Sequence, residues 1–217
     1  MELVAEAFAS YLESLIPARS SVLQEMEAHA RSRRFPIVGP VVGQLFYLLT
    51  RLSGARRVFE MGSGYGYSTA WFAMGVRDNG GGEVHHVVWD EALSQAARGH
   101  LQRLGLMPVV RFHVGEAVAA LREAEGRFDI IFSDIDKEGY PASLAVIRQR
   151  LSPGGLLLVD NMFWRGRVVD PGDTDPETEA IRTFTRAVFA DPEFVSTIVP
   201  LRDGVLVARR RDTPPAA

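Results

Sequence analysis

The sequence contains no cysteine among its 217 residues. This absence excludes a disulfide framework, a thiolate zinc site and a cysteine nucleophile, so any metal must be bound by oxygen or imidazole. The sequence also lacks an uninterrupted apolar run of about 18 residues, the length that a membrane-spanning helix needs. Neither sign of charge dominates, because 24 basic residues stand against 27 acidic ones. The charge balance therefore gives no general argument for binding to nucleic acid or to anionic membranes.

The first residues lack the pattern of a secretion signal. Glu2 and Glu6 stand where a signal peptide carries basic residues, and the apolar residues recur at helical spacing rather than in one run. We expect an amphipathic helix of the mature protein and a cytoplasmic location. The length and the apolar fraction of 47% predict a single domain over residues 1–211, with a helical N-terminal segment at 1–35. The proline-rich tail at 212–217 is expected to be disordered.

Strand-like and helix-like patterns alternate through the middle of the chain. Two helical patterns, over about residues 2–15 and 19–33, precede a loop with two prolines and a third helix that carries Gln44 to Leu52. Short apolar runs of strand length then follow, separated by longer helical stretches. The predicted strands are Val58–Met61, Val84–Val88, Val109–Val114, Phe128–Ser133 and Leu156–Val159. This order is typical of a parallel sheet that is covered by helices on both faces.

The last two predicted strands follow a helix near residues 175–190 and must form a hairpin. Only five residues, ending in Asp203-Gly204, join Phe194–Val199 to Val205–Arg209. A connection this short requires an antiparallel pair. The sequence therefore predicts a doubly wound α/β fold with seven strands, mostly parallel and closed by a C-terminal antiparallel hairpin. A dinucleotide-binding Rossmann sheet would stay parallel.

A glycine-rich loop follows the first predicted strand. Gly62, Gly64 and Gly66 alternate along it, and a helix begins directly afterwards. Glycine allows the backbone to pass close to a ligand, and a helix N-terminus presents free N–H groups to an anion. Glu60, just before the turn, would repel a pyrophosphate but would attract an ammonium group, as in S-adenosylmethionine (SAM). A turn that is glycine-rich for structural reasons alone remains the alternative.

Charged and amide side chains follow two further strands. Asp134, Asp136 and Lys137 come after Phe128–Ser133, and Asp160-Asn161 comes after Leu156–Val159. Ligands of doubly wound sheets bind at the carboxyl ends of the strands, so we expect these side chains to share the crevice of the glycine loop. Asp134, Asp160 and Asn161 suit Mg²⁺, or another divalent cation such as Mn²⁺ or Ca²⁺. Acids that merely cap strand ends would give the same pattern.

Three motifs follow one another along the chain. They are E-x-G-x-G-x-G-Y-S from Glu60 to Ser68, F-D-x-x-F-x-D-x-D-K-x-x-Y from Phe128 to Tyr140, and L-x-P-G-G with D-N-x-x-W-x-G-x-V between Leu151 and Val168. Together they resemble the cation-dependent O-methyltransferases, the relatives of catechol and caffeoyl-CoA O-methyltransferases within the class I SAM-dependent enzymes. The resemblance covers about residues 35–210.

The resemblance implies an enzyme that transfers a methyl group from SAM to a small catechol-like acceptor with vicinal hydroxyls. It implies that a divalent cation is bound by Asp134, Asp160 and Asn161, and that Lys137 and Asp134 take part in catalysis. It also implies a homodimer. The cofactor contacts that it implies are Val38, Glu60, Gly62, Gly64, Ser68, Ala117 and Asp134.

One position departs from the family pattern. Relatives hold the ribose hydroxyls with an acid at the end of the second strand, where this sequence has Val88. Valine cannot accept a hydrogen bond, and Asp90 is the nearest acid. We hypothesise that Asp90 replaces the missing acid and that Trp89 packs on the adenine ring. A surface acid and a core aromatic residue are the alternative.

Two other functions remain open at this point. A tRNA hydroxyuridine O-methyltransferase of the same fold would be supported only by the basic cluster Arg31-Ser32-Arg33-Arg34, which a solvated helix end also explains. A non-catalytic SAM-binding protein would be consistent with Val88 but not with an intact set of ligand residues and Lys137. We expect no membrane partner, and we consider nucleic acid a less favoured one.

Overall fold

The computed structural model describes residues 6–213, with Glu6 described by its backbone alone. The start of the first predicted helix, at residues 2–5, lies outside the described residues, as do residues 214–217 of the predicted disordered tail. At the start of that tail, the exposed carboxylate of Asp212 accepts a hydrogen bond from Arg209 at 2.8 Å.

Among the described residues, three helices come first, and helices then alternate with strands as far as the C-terminal hairpin, as predicted. Within residues 6–213 the α-helices are α1 (Glu6–Ser14), α2 (Ser21–Arg33), α3 (Gly39–Ser53), α4 (Tyr67–Asp78), α5 (Glu91–Arg103), α6 (Ala117–Glu123), α7 (Tyr140–Arg150) and α8 (Pro176–Ala190). Short 3₁₀ turns lie at Met107–Val109, Lys137–Gly139 and Trp164–Val169. Ser20, Asp90, Glu116 and Asp175 cap the starts of four helices through their side-chain oxygens.

One sheet of seven strands runs through the described part of the chain, in the order β3-β2-β1-β4-β5-β7-β6. The strands are β1 (Arg57–Met61), β2 (Glu83–Val88), β3 (Val110–Val114), β4 (Phe128–Ser133), β5 (Leu151–Val159), β6 (Phe194–Val199) and β7 (Val205–Arg210). The first five are parallel, whereas β7 is antiparallel to both β5 and β6. The predicted fold class and the predicted hairpin are confirmed.

The sheet has an apolar core on each face. Val58 of β1 packs into the core beneath α3 and α4, which includes Phe46 and Phe72. Its neighbour Phe59 packs into the opposite core, beneath α7 and α8. This alternation is the ordinary consequence of the two-residue repeat of a strand, and it places Glu60 on the same face as Val58, towards α4.

Three strands extend one residue beyond the prediction, at Arg57, Glu83 and Arg210, and two strands start elsewhere for structural reasons. Val109 belongs to the 3₁₀ turn before β3, so that strand begins at Val110. Strand β5 begins at Leu151 rather than at Leu156, because Leu151 pairs with Phe128 and Leu156 pairs with Ile130. Residues 152–155, with Pro153 and Gly154, therefore bulge opposite Asp129, and a bulge is one of the few places where a strand accepts proline and glycine.

No helix among residues 6–213 combines the length and the apolar character needed to cross a bilayer.

Candidate active site

The carboxyl ends of β1, β4 and β5 meet at the point where the strand order reverses. From β1 the chain proceeds to β2 and β3 on one side, and then returns to β4 and β5 on the other. The backbone N–H of Asp134 donates to the carbonyl of Met61 at 2.8 Å, and that of Asp160 donates to Ser133 at 3.2 Å. The glycine loop and the two predicted acidic segments therefore line one crevice, which is where doubly wound sheets bind ligands.

The glycine loop forms a cavity of about 170 Å³ at the start of α4. Its lining includes the predicted residues Val38, Gly62, Gly64, Ser68 and Asp134. Gly62 has a φ of 88°, and a Cβ on it would lie 2.4 Å from the carbonyl oxygen of Asp134. Only glycine fits this close approach, which fixes the distance between the cofactor loop and the predicted metal ligand.

Helix α2 covers the outer side of the glycine loop. The Tyr65 hydroxyl donates to the carbonyl of Met26 at 2.9 Å, and the Tyr67 hydroxyl donates to Glu27 Oε1 at 2.8 Å. Glu27 is buried, and its charge is balanced by Arg19 at 2.8 Å. Helix α2 is thus part of the wall of the site.

Glu60 lies fully buried beneath the loop. Its Oε2 accepts a hydrogen bond from Thr69, whose hydroxyl lies 2.9 Å from His86 Nδ1. Its Oε1 has no hydrogen-bond partner among the described residues. Burial raises the pKa of Glu60 to about 7, although the nearby hydroxyls of Ser68 and Thr69 lower it. A buried carboxylate with one free oxygen beside a glycine loop fits the ammonium group of SAM, which would return this pKa towards the usual carboxyl range.

The far end of the crevice is a smaller cavity of about 100 Å³, lined in part by Gly62, Val88, Trp89, Ala117 and Asp136. Trp89 is not a core residue, because 67% of it is exposed at the rim. The hypothesised ribose ligand Asp90 is outside this lining. Its Oδ1 instead accepts from the backbone N–H groups of Ala92 and Leu93, at 2.6 and 3.2 Å.

Sequence reasoning placed Asp136 in the crevice but gave it no contact role. It follows β4 by three residues and lines this smaller cavity, where its carboxylate can accept hydrogen bonds from the hydroxyl groups of a ligand.

The predicted metal ligands bring two carboxylates together. Asp160 is buried, and its pKa is raised to about 6, first by burial and then by the charge of Asp134. Burial also raises the pKa of Asp134, although Lys137 opposes this effect and 31% of the Asp134 side chain remains exposed to the crevice. The charge of Asp134 thus makes ionisation of Asp160 less favourable, and a bound cation would relieve this repulsion.

The side chains that could bind a cation here are few, and all of them offer oxygen atoms. No three His, Asp or Glu side chains of residues 7–213 converge on one point, so a cation here would depend on the amide oxygen of Asn161 as well as on the two acids. Asn161 has a φ of 60°, a left-handed conformation that asparagine tolerates better than most residues. Two carboxylates and an amide are ligands that Mg²⁺ accepts when water or substrate completes the shell. The residues present therefore fit the predicted cation.

Lys137 links the segments that carry Asp134 and Asp160 through hydrogen bonds. Its Nζ donates to Asp134 Oδ1 at 2.8 Å, to the carbonyl of Ile135 at 3.1 Å and to the Tyr140 hydroxyl at 3.0 Å. Tyr140 in turn donates to the carbonyl of Asp160 at 3.1 Å. As an ammonium group, Lys137 uses all three of its protons in these contacts, so it can accept a proton only in its amine form.

A larger cavity of about 670 Å³ adjoins the glycine loop on the side of the N-terminal helices. It shares Phe35, Pro36 and Ile37 with the cavity of that loop, and its mouth is formed in part by Arg165, Arg202 and Asp203. Volumes of this size are usual for small-molecule sites.

Sequence reasoning also missed Asp203. The hairpin itself contained a signal, because β7 is antiparallel to β5 and the turn that precedes it must return to the carboxyl end of β5. The side chain of Asp203 accepts a hydrogen bond from Asn161 Nδ2 at 3.3 Å.

Comparison with known proteins identifies the family. A family model described as O-methyltransferase matches residues 17–211 of the chain. The chain belongs to the O-methyltransferase family. A Mycobacterium tuberculosis protein named "probable O-methyltransferase" is 35% identical over 189 residues, which are 84% of each chain. A catechol O-methyltransferase of Niastella koreensis is 30% identical over 168 residues, which are 76% of this chain and 75% of that one.

A solved O-methyltransferase structure has the same fold. The Bacillus cereus O-methyltransferase in complex with SAH superposes with a TM-score of 0.85 at 29% identity, over 94% of this chain and 97% of that one. The predicted relationship to class I SAM-dependent O-methyltransferases is confirmed, and the chain is an enzyme of this family.

Proposed function

We propose that this O-methyltransferase transfers the methyl group of SAM to one hydroxyl of a small catechol-like acceptor, with a divalent cation bound by Asp134, Asp160 and Asn161. The observation that carries the proposal is the pairing of the Asp134 and Asp160 carboxylates, which lie at the ends of adjacent strands beside Lys137 and the glycine loop. The carboxylates, Lys137 and the glycine loop each have a role in the methyl transfer that we propose.

The donor would occupy the crevice from Glu60 to Ala117. Glu60 offers a free oxygen to the ammonium group, and the first turn of α4, with Ser68, offers hydrogen-bond donors to the carboxylate. The adenosine would lie towards Trp89 and Ala117. The complex of the Bacillus cereus relative with SAH supports a SAM site in this fold.

The cation would supply a Lewis acid that lowers the pKa of the acceptor hydroxyls. The residues of the chain then have separate tasks. Asp134 and Asp160 bring the negative charge that draws the cation into the crevice, and Lys137 holds Asp134 in place. The amine form of Lys137 can take the hydroxyl proton, and the freed oxygen attacks the methyl carbon in line with the departing sulfur.

The acceptor would enter from the cavity beside α1 and α2. Its volume of about 670 Å³ accommodates a single substituted aromatic ring. The identity of 30% to a catechol O-methyltransferase over three quarters of the chain supports an acceptor with vicinal hydroxyls.

The competing tRNA function has no specific support in the fold. Arg31 and Arg33 lie in the last turn of α2, where basic side chains complement the helix dipole, and Arg34 ends the helix. The basic cluster therefore has a structural explanation.

An acceptor panel tests the proposal. Purified protein would be incubated with labelled SAM, Mg²⁺ and one of three acceptors: catechol, the matched monohydroxy compound phenol, or a pool of unmodified tRNA. We expect methylation of catechol alone. Equal rates for catechol and phenol would contradict chelation by vicinal hydroxyls, and label that appears only in tRNA would replace the proposal with the rival function.

A further inference from the structure

Asp203 lies in the turn between β6 and β7, 42 residues from the nearest predicted metal ligand, yet it contacts the segment that carries that ligand. Its Oδ2 accepts from Asn161 Nδ2 at 3.3 Å, and its Oδ1 accepts from the backbone N–H of Arg165 at 2.6 Å. Its carbonyl accepts from the N–H of Phe163 at 2.8 Å. One turn residue thus holds residues 161–165 at three points.

The segment that Asp203 holds is conformationally unusual. Asn161, Trp164 and Arg165 all have positive φ values, of 60°, 47° and 56°. Such conformations persist only when the surroundings enforce them. The turn supplies this restraint, because Gly204 also accepts from the N–H of Met162 at 3.0 Å, and its lack of a side chain lets it lie against the ring of Phe163.

The chemistry of the two side chains fixes the orientation of the Asn161 amide. An ionised carboxylate only accepts hydrogen bonds, so the amide must turn its NH₂ group towards Asp203. The carbonyl oxygen, the only atom of this amide that can bind a cation, is then left for the site. We propose that Asp203 is a positioning residue that fixes the Asn161 amide in the orientation that binds the divalent cation. This inference rests on the proposed function, because it requires that cation.

The isosteric substitution Asp203→Asn tests the orientation directly. The new amide has a single oxygen, which the N–H of Arg165 would engage, so its NH₂ group would face Asn161. The Asn161 amide would then turn over to accept a hydrogen bond, and its NH₂ group would face the cation. We expect the affinity for Mn²⁺, measured by electron paramagnetic resonance without SAM or acceptor, to fall by about 10- to 100-fold.

A charge-preserving exchange provides the rescue. In the double variant Asn161→Asp, Asp203→Asn, the carboxylate at 161 can accept from the new amide with one oxygen and bind the cation with the other. We expect Asp203→Asn to weaken Mn²⁺ binding by at least about tenfold when Asn161 is present but not in the Asn161→Asp background, a coupling that a merely structural role would not produce. Asp170→Asn is the matched control, because Asp170 is an exposed acid whose Oδ1 only accepts from Gly172 N–H, and Mn²⁺ affinity should not change.

The outcomes separate the inference from the proposed function. If the wild-type protein binds no Mn²⁺, the proposed cation site is wrong. If the wild type binds Mn²⁺ and Asp203→Asn binds it equally well, Asp203 does not position the ligand. Should Asp203→Asn fail to fold, as judged by circular dichroism, the double variant is compared with Asn161→Asp, which has the same carboxylate: Mn²⁺ affinity that is equal or higher in the double variant supports the inference, and lower affinity overturns it.

Discussion

At the scale of single residues, Glu60 has two properties that are difficult to combine: full burial and a carboxylate oxygen that has no hydrogen-bond partner within residues 6–213. Sequence reasoning identified it, because an acid before a glycine loop is a local pattern. The hydrogen bond from Thr69 and the nearby His86 were not predictable, since they come from α4 and β2 and depend on how those elements pack. Because the pKa of Glu60 is raised to about 7, we expect SAM affinity and protein stability to change in opposite directions with pH.

The affinity for SAM is expected to rise with pH while the stability of the ligand-free protein falls. The donor ammonium prefers ionised Glu60, so affinity should increase about fivefold between pH 6 and pH 7, as measured by calorimetry. The raised pKa means that the folded protein favours the neutral form of Glu60. The resulting contribution to the free energy of unfolding is complete below the ordinary carboxyl pKa of 4.5 and is lost as the pH rises through about 7. Glu60→Gln is the control: it should remove most of the pH dependence of SAM affinity and the part of the stability loss that Glu60 causes, whereas the contribution of Asp160, whose pKa is raised to about 6, should remain. An unchanged pH dependence in this variant would remove Glu60 from the explanation.

Asp136 and Asp90 provide a second residue-scale prediction, for the ribose end of the crevice. Asp136 lines the smaller cavity, whereas Asp90 caps α5. Asp136→Asn is expected to weaken SAM binding with little effect on the melting temperature. Asp90→Asn, which retains one acceptor, should have a smaller effect on SAM, and Asp90→Ala should cost about 1 kcal/mol of stability through loss of the cap. If Asp90→Asn weakened SAM binding more than Asp136→Asn, the original hypothesis for Asp90 would be favoured.

At the scale of elements, local patterns predicted those parts of the fold that have local causes. Phe128–Ser133 and Phe194–Val199 have the predicted bounds, because each is an apolar run between polar turns. The start of β5 was wrong because its proline and glycines form a bulge, which only the pairing with β4 shows. Asp203 was missed for a similar reason, since its contact with Asn161 depends on two strands that are distant in sequence.

The glycine loop gives a prediction at this scale. Gly62→Ala would force a Cβ to within 2.4 Å of the Asp134 carbonyl and would impose a φ of 88° on alanine. Because the loop and the predicted metal ligand are in contact here, the affinities for SAM and Mn²⁺ should fall together. Gly99→Ala is the control: it lies in α5 with open space around its Cβ position, and it should stabilise the protein by up to about 1 kcal/mol. A loss of SAM affinity with unchanged Mn²⁺ affinity in Gly62→Ala would show that the two sites are not coupled.

At the scale of the whole molecule, the crevice, helix α2 and the turn between β6 and β7 meet at the carboxyl ends of the parallel strands. Helix α2 is tied to the glycine loop through Tyr65 and Tyr67, and the turn before β7 is tied to the end of β5 through Asp203. Helix α2 therefore packs on the crevice as part of the same structural unit. The homodimer stays a prediction, and the exposed side chains of Phe8 and Tyr11 on α1 and of Leu15 just after it are where we would examine it first.

The central claim is that methyl transfer depends on a divalent cation at Asp134, Asp160 and Asn161. The most direct measurement is the rate of catechol methylation after removal of metal with a chelator and after return of Mg²⁺, for the wild type and for Asp160→Asn. We predict that the chelated wild type loses activity and that Mg²⁺ restores it. Asp160→Asn should bind SAM normally but require a much higher Mg²⁺ concentration. Full activity of the wild type in the presence of the chelator would contradict the account.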